Sequence, residues 1–215
     1  MRRIARRYAL ALAVAGLMAL GAESAMAGAP AATKAPAPPV GVAEMSLGSA
    51  TAKVTVIEYA STTCPHCARW NAEVFPEFKR KYIDSGQVRY VFREFPTSPM
   101  EVAAAGFLIA RCAPPAKYFD VIDALFRDQA NMYENGVAGP TLLKGARAGG
   151  LSDAQAQTCA QDDAAMKLLN DRVQRSYEVD KIDSTPTFFV GDRKLSGEQT
   201  LTALDAVIQP LLRAR

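Results

Sequence analysis

The residues best suited to chemistry are two cysteines separated by two residues, in the sequence Cys64-Pro65-His66-Cys67. A cysteine thiolate is a strong nucleophile, and two cysteines at this spacing lie close enough to form a disulfide. The spacing also occurs in structural disulfides, zinc sites and haem attachment. Zinc would need a second close Cys/His pair, but His66 is the only histidine, and haem attachment needs a histidine where Ala68 stands. The pattern therefore favours thiol–disulfide exchange without a bound metal.

The flanking segments are expected to place this pair at the start of a helix. Residues 53–60 are a β-branched run typical of a buried strand, and residues 68–82 have helical spacing. Free N–H groups and the positive end of the helix dipole favour a thiolate on Cys64, the predicted nucleophile. Cys67, one turn later, is the predicted resolving thiol. A protonated His66 would stabilise the thiolate and so make the disulfide a stronger oxidant.

Glu58 is a third candidate for a chemical role. It lies six residues before Cys64 on an otherwise apolar predicted strand. A carboxyl buried there would have a raised pKa and could exchange protons with Cys67 during turnover. The alternative is that strand alternation turns its side chain to solvent.

The remaining patterns predict an α/β fold interrupted by helices. Residues 43–48 suggest a short edge strand and residues 87–93 a second central strand, parallel to the first because a helix connects them. Helical spacing dominates from residue 100 to about 179, and residues 187–196 predict a hairpin before a final amphipathic helix. The predicted divisions are one half of the α/β unit at 43–97, a helical insertion at 98–180 and the second half at 181–215.

The N-terminus has the pattern of an export signal. Residues 1–27 contain four arginines, an apolar run at 9–21 and the small-x-small sequence Ala25-Met26-Ala27, which predicts cleavage after Ala27. An uncleaved anchor is the alternative. Residues 28–42 are rich in alanine and proline and predict an extended, flexible leader. Export would bring the chain to a compartment in which disulfides persist.

The charge of the chain excludes some partners. The formal net charge is +3, but four of the 25 basic residues and one of the 22 acidic residues lie in residues 1–27, so the remainder carries 21 of each sign. A mature protein with balanced charge has no electrostatic reason to bind nucleic acid or anionic lipid.

Two other cysteines, Cys112 and Cys159, fall on predicted helices of the insertion. In an oxidising compartment they are expected to form a structural disulfide that ties two helices together. Two buried free thiols are the alternative.

Two segments together resemble one family. Residues 56–67 resemble the active-site segment of the DsbA family of periplasmic thiol:disulfide oxidoreductases, and residues 184–189 resemble that family's cis-proline loop. The resemblance implies a thioredoxin-like fold with a helical insertion, and it puts Glu58 where the family keeps its buried acid. It also implies a cis bond at Pro186 against the dithiol, leaving the backbone of Thr185 free to pair with an extended substrate chain.

The resemblance further implies a function. A member of this family would be a monomeric periplasmic dithiol oxidase that acts on unfolded or reduced exported proteins, needs no cofactor beyond its own disulfide and is reoxidised by a quinone-linked, DsbB-type membrane protein. Many oxidases of the family carry valine at the position of Thr185, whereas threonine recurs in isomerase relatives and in some oxidases. An isomerase or reductase therefore remains an alternative, as does a copper-handling thiol chaperone.

Overall fold

The computed structural model describes residues 43–214, so the predicted signal peptide and leader lie outside the described residues. One five-stranded sheet forms its centre. The strands are β1 (Met45–Leu47), β2 (Val54–Ala60), β3 (Val88–Glu94), β4 (Thr187–Val190) and β5 (Arg193–Ser196). Their order in the sheet is β1-β3-β2-β4-β5, in which β2 and β3 are parallel and the other pairs are antiparallel.

Helices cover the sheet and account for most of the chain between β3 and β4. They are α1 (Pro65–Glu73), α2 (Phe75–Phe78), α3 (Met100–Cys112), α4 (Tyr118–Asn135), α5 (Gly139–Ala148), α6 (Asp153–Ala160), α7 (Asp163–Glu178) and α8 (Leu201–Arg213). This arrangement confirms the predicted α/β fold with a helical insertion. None of the helices within residues 43–214 combines the length and apolar character needed to cross a bilayer.

The first helical region differs from its prediction. A continuous helix was expected over residues 68–82, but α1 ends at Glu73, and α2 is followed by a π-helical turn at Lys79–Ile83. Pro76 explains the break, because proline has no backbone N–H and its ring clashes with the carbonyl of the preceding turn. The dithiol is unaffected, since it lies at the opposite end of α1.

Trp70 fixes α1 on the sheet. Its side chain is 1% exposed, and its ring lies 4.8 Å from that of Phe188 on β4 and 6.5 Å from that of Tyr90 on β3. Its indole N–H also donates to the carbonyl of Gln199, at 2.9 Å, in the loop before α8. A large aromatic side chain buried in this way is a major source of packing energy, so Trp70 holds α1 against the sheet.

A buried ion-pair cluster joins the insertion to the sheet. Glu94, at the end of β3, is 3% exposed and accepts hydrogen bonds from Arg111 on α3, at 2.5 Å, and from Arg172 on α7, at 3.2 Å. The Tyr118 hydroxyl at the start of α4 donates to the same carboxylate at 3.0 Å. A buried carboxylate needs such partners, and three separate helices of the insertion supply them here.

Candidate active site

The two cysteines lie at the N-terminal end of α1. Cys64 is the N-cap residue, with extended backbone (φ −81°, ψ 118°), and Pro65 occupies the first helical position, where its missing N–H costs nothing. The backbone N–H of Cys67 points to Cys64 Sγ at 3.4 Å. Both thiols are free and buried, but Cys64 retains 6% exposure whereas Cys67 has none. Of the two cysteines, Cys64 is therefore the one that solvent can reach.

The surroundings give the two thiols opposite acidities. The pKa of Cys64 is lowered to about 5, chiefly by the hydrogen bond from the Cys67 side chain. Hydrogen bonds from Thr185 and from the backbone N–H groups of Cys67 and His66 lower this pKa further, whereas burial raises it. Burial raises the pKa of Cys67 well above its ordinary value. At neutral pH the pair therefore holds one thiolate and one thiol, as a nucleophile and a resolving group require.

Glu58 is a buried acid beneath this pair. It lies in the centre of β2 and is 1% exposed, so the solvent-facing alternative is wrong. Burial raises the pKa of Glu58 to about 8; a hydrogen bond from the Tyr90 hydroxyl opposes the shift and the charge on Cys64 adds to it. The carboxyl is electrostatically coupled to Cys67 and helps to raise the pKa of that thiol. Glu58 is therefore protonated at neutral pH and close to the resolving cysteine.

His66 lies on the exposed side of the motif and has partners that the sequence does not predict. Its Nδ1 contacts the carboxylate of Glu198, which also accepts from the Arg69 Nε–H at 2.9 Å. The hydrogen bond from Arg69, together with that from His66, lowers the pKa of Glu198 to about 2. Glu198 precedes α8 and is more than a hundred residues away in sequence, so no local pattern could have indicated it.

The loop before β4 borders Cys64 on the opposite side. The Thr185–Pro186 peptide bond is cis. Cys64 Sγ lies 3.3 Å from the backbone carbonyl of Thr185, to which it can donate only in its protonated form, so the structure brings together the two segments that carry the family resemblance. The backbone of Thr185 therefore borders the Cys64 sulfur.

Two functional candidates were missed on α4. The Gln129 side chain donates to the carbonyls of Thr62 and Cys64, and the Tyr133 hydroxyl donates to the carbonyl of Thr63. A signal for Gln129 was present, because it is a polar residue that continues the apolar helical spacing of Ile122, Leu125 and Phe126.

The second pair of cysteines forms a disulfide and has no free thiol. Cys112 and Cys159 form a disulfide with a Cα–Cα distance of 6.0 Å, which joins the end of α3 to α6. This is the pairing expected from the sequence. Within residues 43–214, no three His, Cys, Asp or Glu side chains group closely enough to hold a metal ion.

The fold and the dithiol define a thioredoxin-class protein, and a family model described as thioredoxin matches residues 41–210. The crystal structure of Wolbachia pipientis alpha-DsbA1 superposes with a TM-score of 0.72 and 28% identity, covering 81% of this chain and 92% of that one. The chain therefore belongs to the DsbA family of thioredoxin-like proteins.

Curated relatives point the same way. A Rickettsia bellii protein that carries the provisional name protein-disulfide oxidoreductase is 32% identical over 148 residues, which are 68% of this chain and 56% of that protein. Disulfide bond formation protein D of Bacillus subtilis is 24% identical over 174 residues, 79% of this chain and 77% of that protein. The chain spans little more than half the length of the Rickettsia relatives.

Proposed function

We propose that this chain is a thiol:disulfide oxidoreductase that works as a dithiol oxidase, introducing disulfides into exported proteins through Cys64 and Cys67. The observation that carries the proposal is the opposite acidity of the two thiols, with a pKa of about 5 for Cys64 and a raised pKa for Cys67. Whatever stabilises the reduced dithiol makes the disulfide more oxidising. A Cys64 thiolate held by donors at a helix start therefore supports the oxidase direction.

The cycle begins with the oxidised pair. A substrate thiolate attacks Cys64 Sγ, a mixed disulfide forms and Cys67 leaves as a thiolate. A second substrate thiolate then attacks the substrate sulfur of the mixed disulfide, and Cys64 leaves as a thiolate. The substrate loses two electrons and two protons and gains a disulfide, while the enzyme disulfide takes up the two electrons. The Cys64–Cys67 disulfide is the only redox group that this cycle needs.

Glu58 supports the proton balance of the first step. Its pKa of about 8 leaves the carboxyl protonated at neutral pH, next to a Cys67 thiolate whose own pKa is higher still. We infer that Glu58 gives its proton to the leaving Cys67 thiolate and is reprotonated from solvent, acting as a general acid. In the reverse direction the same carboxylate removes the proton from Cys67.

Substrate binding is proposed at the loop that contains Thr185 and Pro186. Thr185 is half-buried, and its backbone borders Cys64. An extended chain could pair with that backbone as an added strand. Because such pairing uses main-chain hydrogen bonds, it tolerates many side-chain sequences. Unfolded or reduced proteins are therefore the proposed substrates.

The cellular setting is proposed from the sequence and the family. The signal-like pattern of residues 1–27 supports export to the periplasm, and the Cys112–Cys159 disulfide suits an oxidising compartment. Family membership supports reoxidation by a quinone-linked membrane protein of the DsbB type. The balanced charge of the mature chain gives it no electrostatic reason to bind nucleic acid, and a monomer is the proposed oligomeric state.

The deciding experiment is a redox titration of the purified chain against glutathione. An oxidase should have a reduction potential of the Cys64–Cys67 couple near that of strong oxidants, about −120 mV, whereas a thioredoxin-like value of about −270 mV would contradict the proposal. Refolding of scrambled ribonuclease in parallel tests the isomerase alternative. Isomerisation faster than oxidation of reduced ribonuclease would favour that alternative.

A further inference from the structure

Helix α4 of the insertion contacts the segment that leads into the dithiol. Gln129 is 4% exposed, and its side-chain amide donates to the carbonyls of Thr62, at 2.8 Å, and of Cys64, at 3.2 Å. Tyr133, one turn further along α4, donates its hydroxyl to the carbonyl of Thr63. Three consecutive carbonyls at the entrance to α1 thus accept hydrogen bonds from side chains of a single helix of the insertion.

These contacts matter because the three carbonyls belong to the N-cap residue of α1 and the two residues before it. The Cys64 carbonyl also accepts from the backbone N–H of Ala68 at 3.1 Å, so removal of the side-chain donors affects mainly the carbonyls of Thr62 and Thr63. A buried carbonyl without a donor is unfavourable, so the turn would rearrange to find other partners for these two groups. Such a rearrangement would move Cys64 away from the N–H groups of His66 and Cys67 that stabilise its thiolate. The partial negative charges of unpaired carbonyls would also oppose an anion on Cys64.

The position of Tyr133 supports an electrostatic link to the dithiol. Burial raises the pKa of the Tyr133 hydroxyl, and the negative charge of Cys64 raises it further. The hydroxyl proton and the charge on Cys64 therefore interact, although Tyr133 has no hydrogen bond to the sulfur among the contacts described.

We propose that Gln129 and Tyr133 are positioning residues of the dithiol, through which the helical insertion sets the acidity of Cys64 and hence the oxidising power of the disulfide. Neither side chain takes part in the exchange itself. Both act on the three carbonyls of residues 62–64 and so on the geometry of the helix start. This inference rests on the proposed thiol–disulfide chemistry.

The test uses two variants of the full chain. Tyr133→Phe removes one hydroxyl at a half-exposed position, and Gln129→Met removes both amide donors while keeping a side chain of similar length. The pKa of Cys64 is measured from the ultraviolet absorbance of the thiolate, and the redox equilibrium constant is measured against glutathione. We expect a higher pKa in both variants. The equilibrium should shift toward the oxidised enzyme about threefold for Tyr133→Phe and about tenfold for Gln129→Met, the latter corresponding to ~30 mV.

The control is Tyr177→Phe on α7, which removes the same hydroxyl from a tyrosine that is 63% exposed. It should leave both quantities unchanged. Urea unfolding separates structure from function: variants that lose stability but keep the parent pKa and equilibrium constant would overturn the inference. If Gln129→Met does not fold, Tyr133→Phe decides alone. An ordinary cysteine pKa in the unaltered chain would instead contradict the proposed function.

Discussion

The chain carries two cysteine pairs that differ in the helix end at which they lie. Cys64 is at the N-terminal end of α1, where free N–H groups and the helix dipole favour an anion. Cys112 is the last residue of α3, and Cys159 lies in the last turn of α6, where free carbonyls and the negative end of the dipole disfavour one. A stabilised thiolate makes a disulfide easy to reduce. The same side chain is therefore reactive in one pair and structural in the other because of its place on a helix.

The largest expected effect separates the two pairs by function. Cys64→Ala should reduce the oxidation of a dithiol substrate to the uncatalysed rate, because no other thiol of the site is exposed to substrate. The double variant Cys112→Ala/Cys159→Ala should keep the activity of the parent chain. Oxidation of reduced ribonuclease measures both. Substantial activity in Cys64→Ala would contradict the assignment of catalysis to the Cys64–Cys67 pair alone.

The second prediction concerns stability. Cys112→Ala/Cys159→Ala opens a loop between residues 47 apart. Loss of this cross-link should lower the free energy of unfolding by about 4 kcal/mol on the chain-entropy account. Urea denaturation of the oxidised protein measures the change, while the pKa of Cys64 should stay where it is. A variant as stable as the parent would show that this disulfide contributes no loop constraint.

The third prediction compares acidities directly. The alkylation rate of Cys64 in the reduced protein should fall to half near pH 5, since its pKa is about 5. A Cys112 thiol released by Cys159→Ala lies at a helix C-terminus and should react appreciably only at alkaline pH. Mass spectrometry after pulsed alkylation resolves the two sites. If the alkylation rates of Cys64 and Cys112 had the same pH dependence, the helix end would not determine the acidity of the two thiols.

The fourth prediction concerns Glu58 in the oxidised protein, where neither active-site thiol titrates. Burial, the largest cause of the shift, is present in the oxidised protein too, so the folded-state pKa of Glu58 stays above the ordinary value of 4.5, although the charge on Cys64 that adds to the shift in the reduced protein is absent. The folded state therefore holds a proton that the unfolded state releases, and the free energy of unfolding should fall as the pH rises from about 4.5 to the folded-state pKa. Glu58→Gln should remove this fall. Denaturation at several pH values tests it, and an identical slope in both proteins would mean that Glu58 does not titrate there.

The smallest effect is expected at Glu198. Its carboxylate neutralises Arg69, whose charge also interacts with Cys64. Glu198→Gln should lower the pKa of Cys64 slightly, and high salt should abolish the difference because exposed charges are screened. Alkylation at low and high ionic strength measures it. A higher pKa of Cys64 in the variant would contradict the role assigned to Glu198.

Sequence reasoning succeeded where the signal was local. Apolar periodicity predicted the order of strands and helices, and the two-residue spacing of the cysteines predicted a dithiol at a helix start. The break near Pro76 was visible in the sequence but was overlooked. Contacts such as Glu198 with His66 could not be predicted, because they join residues that only the folded sheet brings together. Gln129 lies between these cases. A polar residue on an apolar helix face indicates a buried hydrogen bond, but the sequence does not show which groups accept it.

The buried Glu94 cluster restricts movement of the helical insertion relative to the sheet. Swinging the insertion outward would separate Glu94 from Arg111 and Arg172 and leave charges buried without partners, at a cost of about 3–5 kcal/mol. The cluster therefore holds the insertion in one position against the end of β3. For the proposed function this means that the substrate, rather than the insertion, changes shape during binding, so unfolded polypeptides would be better substrates than compact folded proteins.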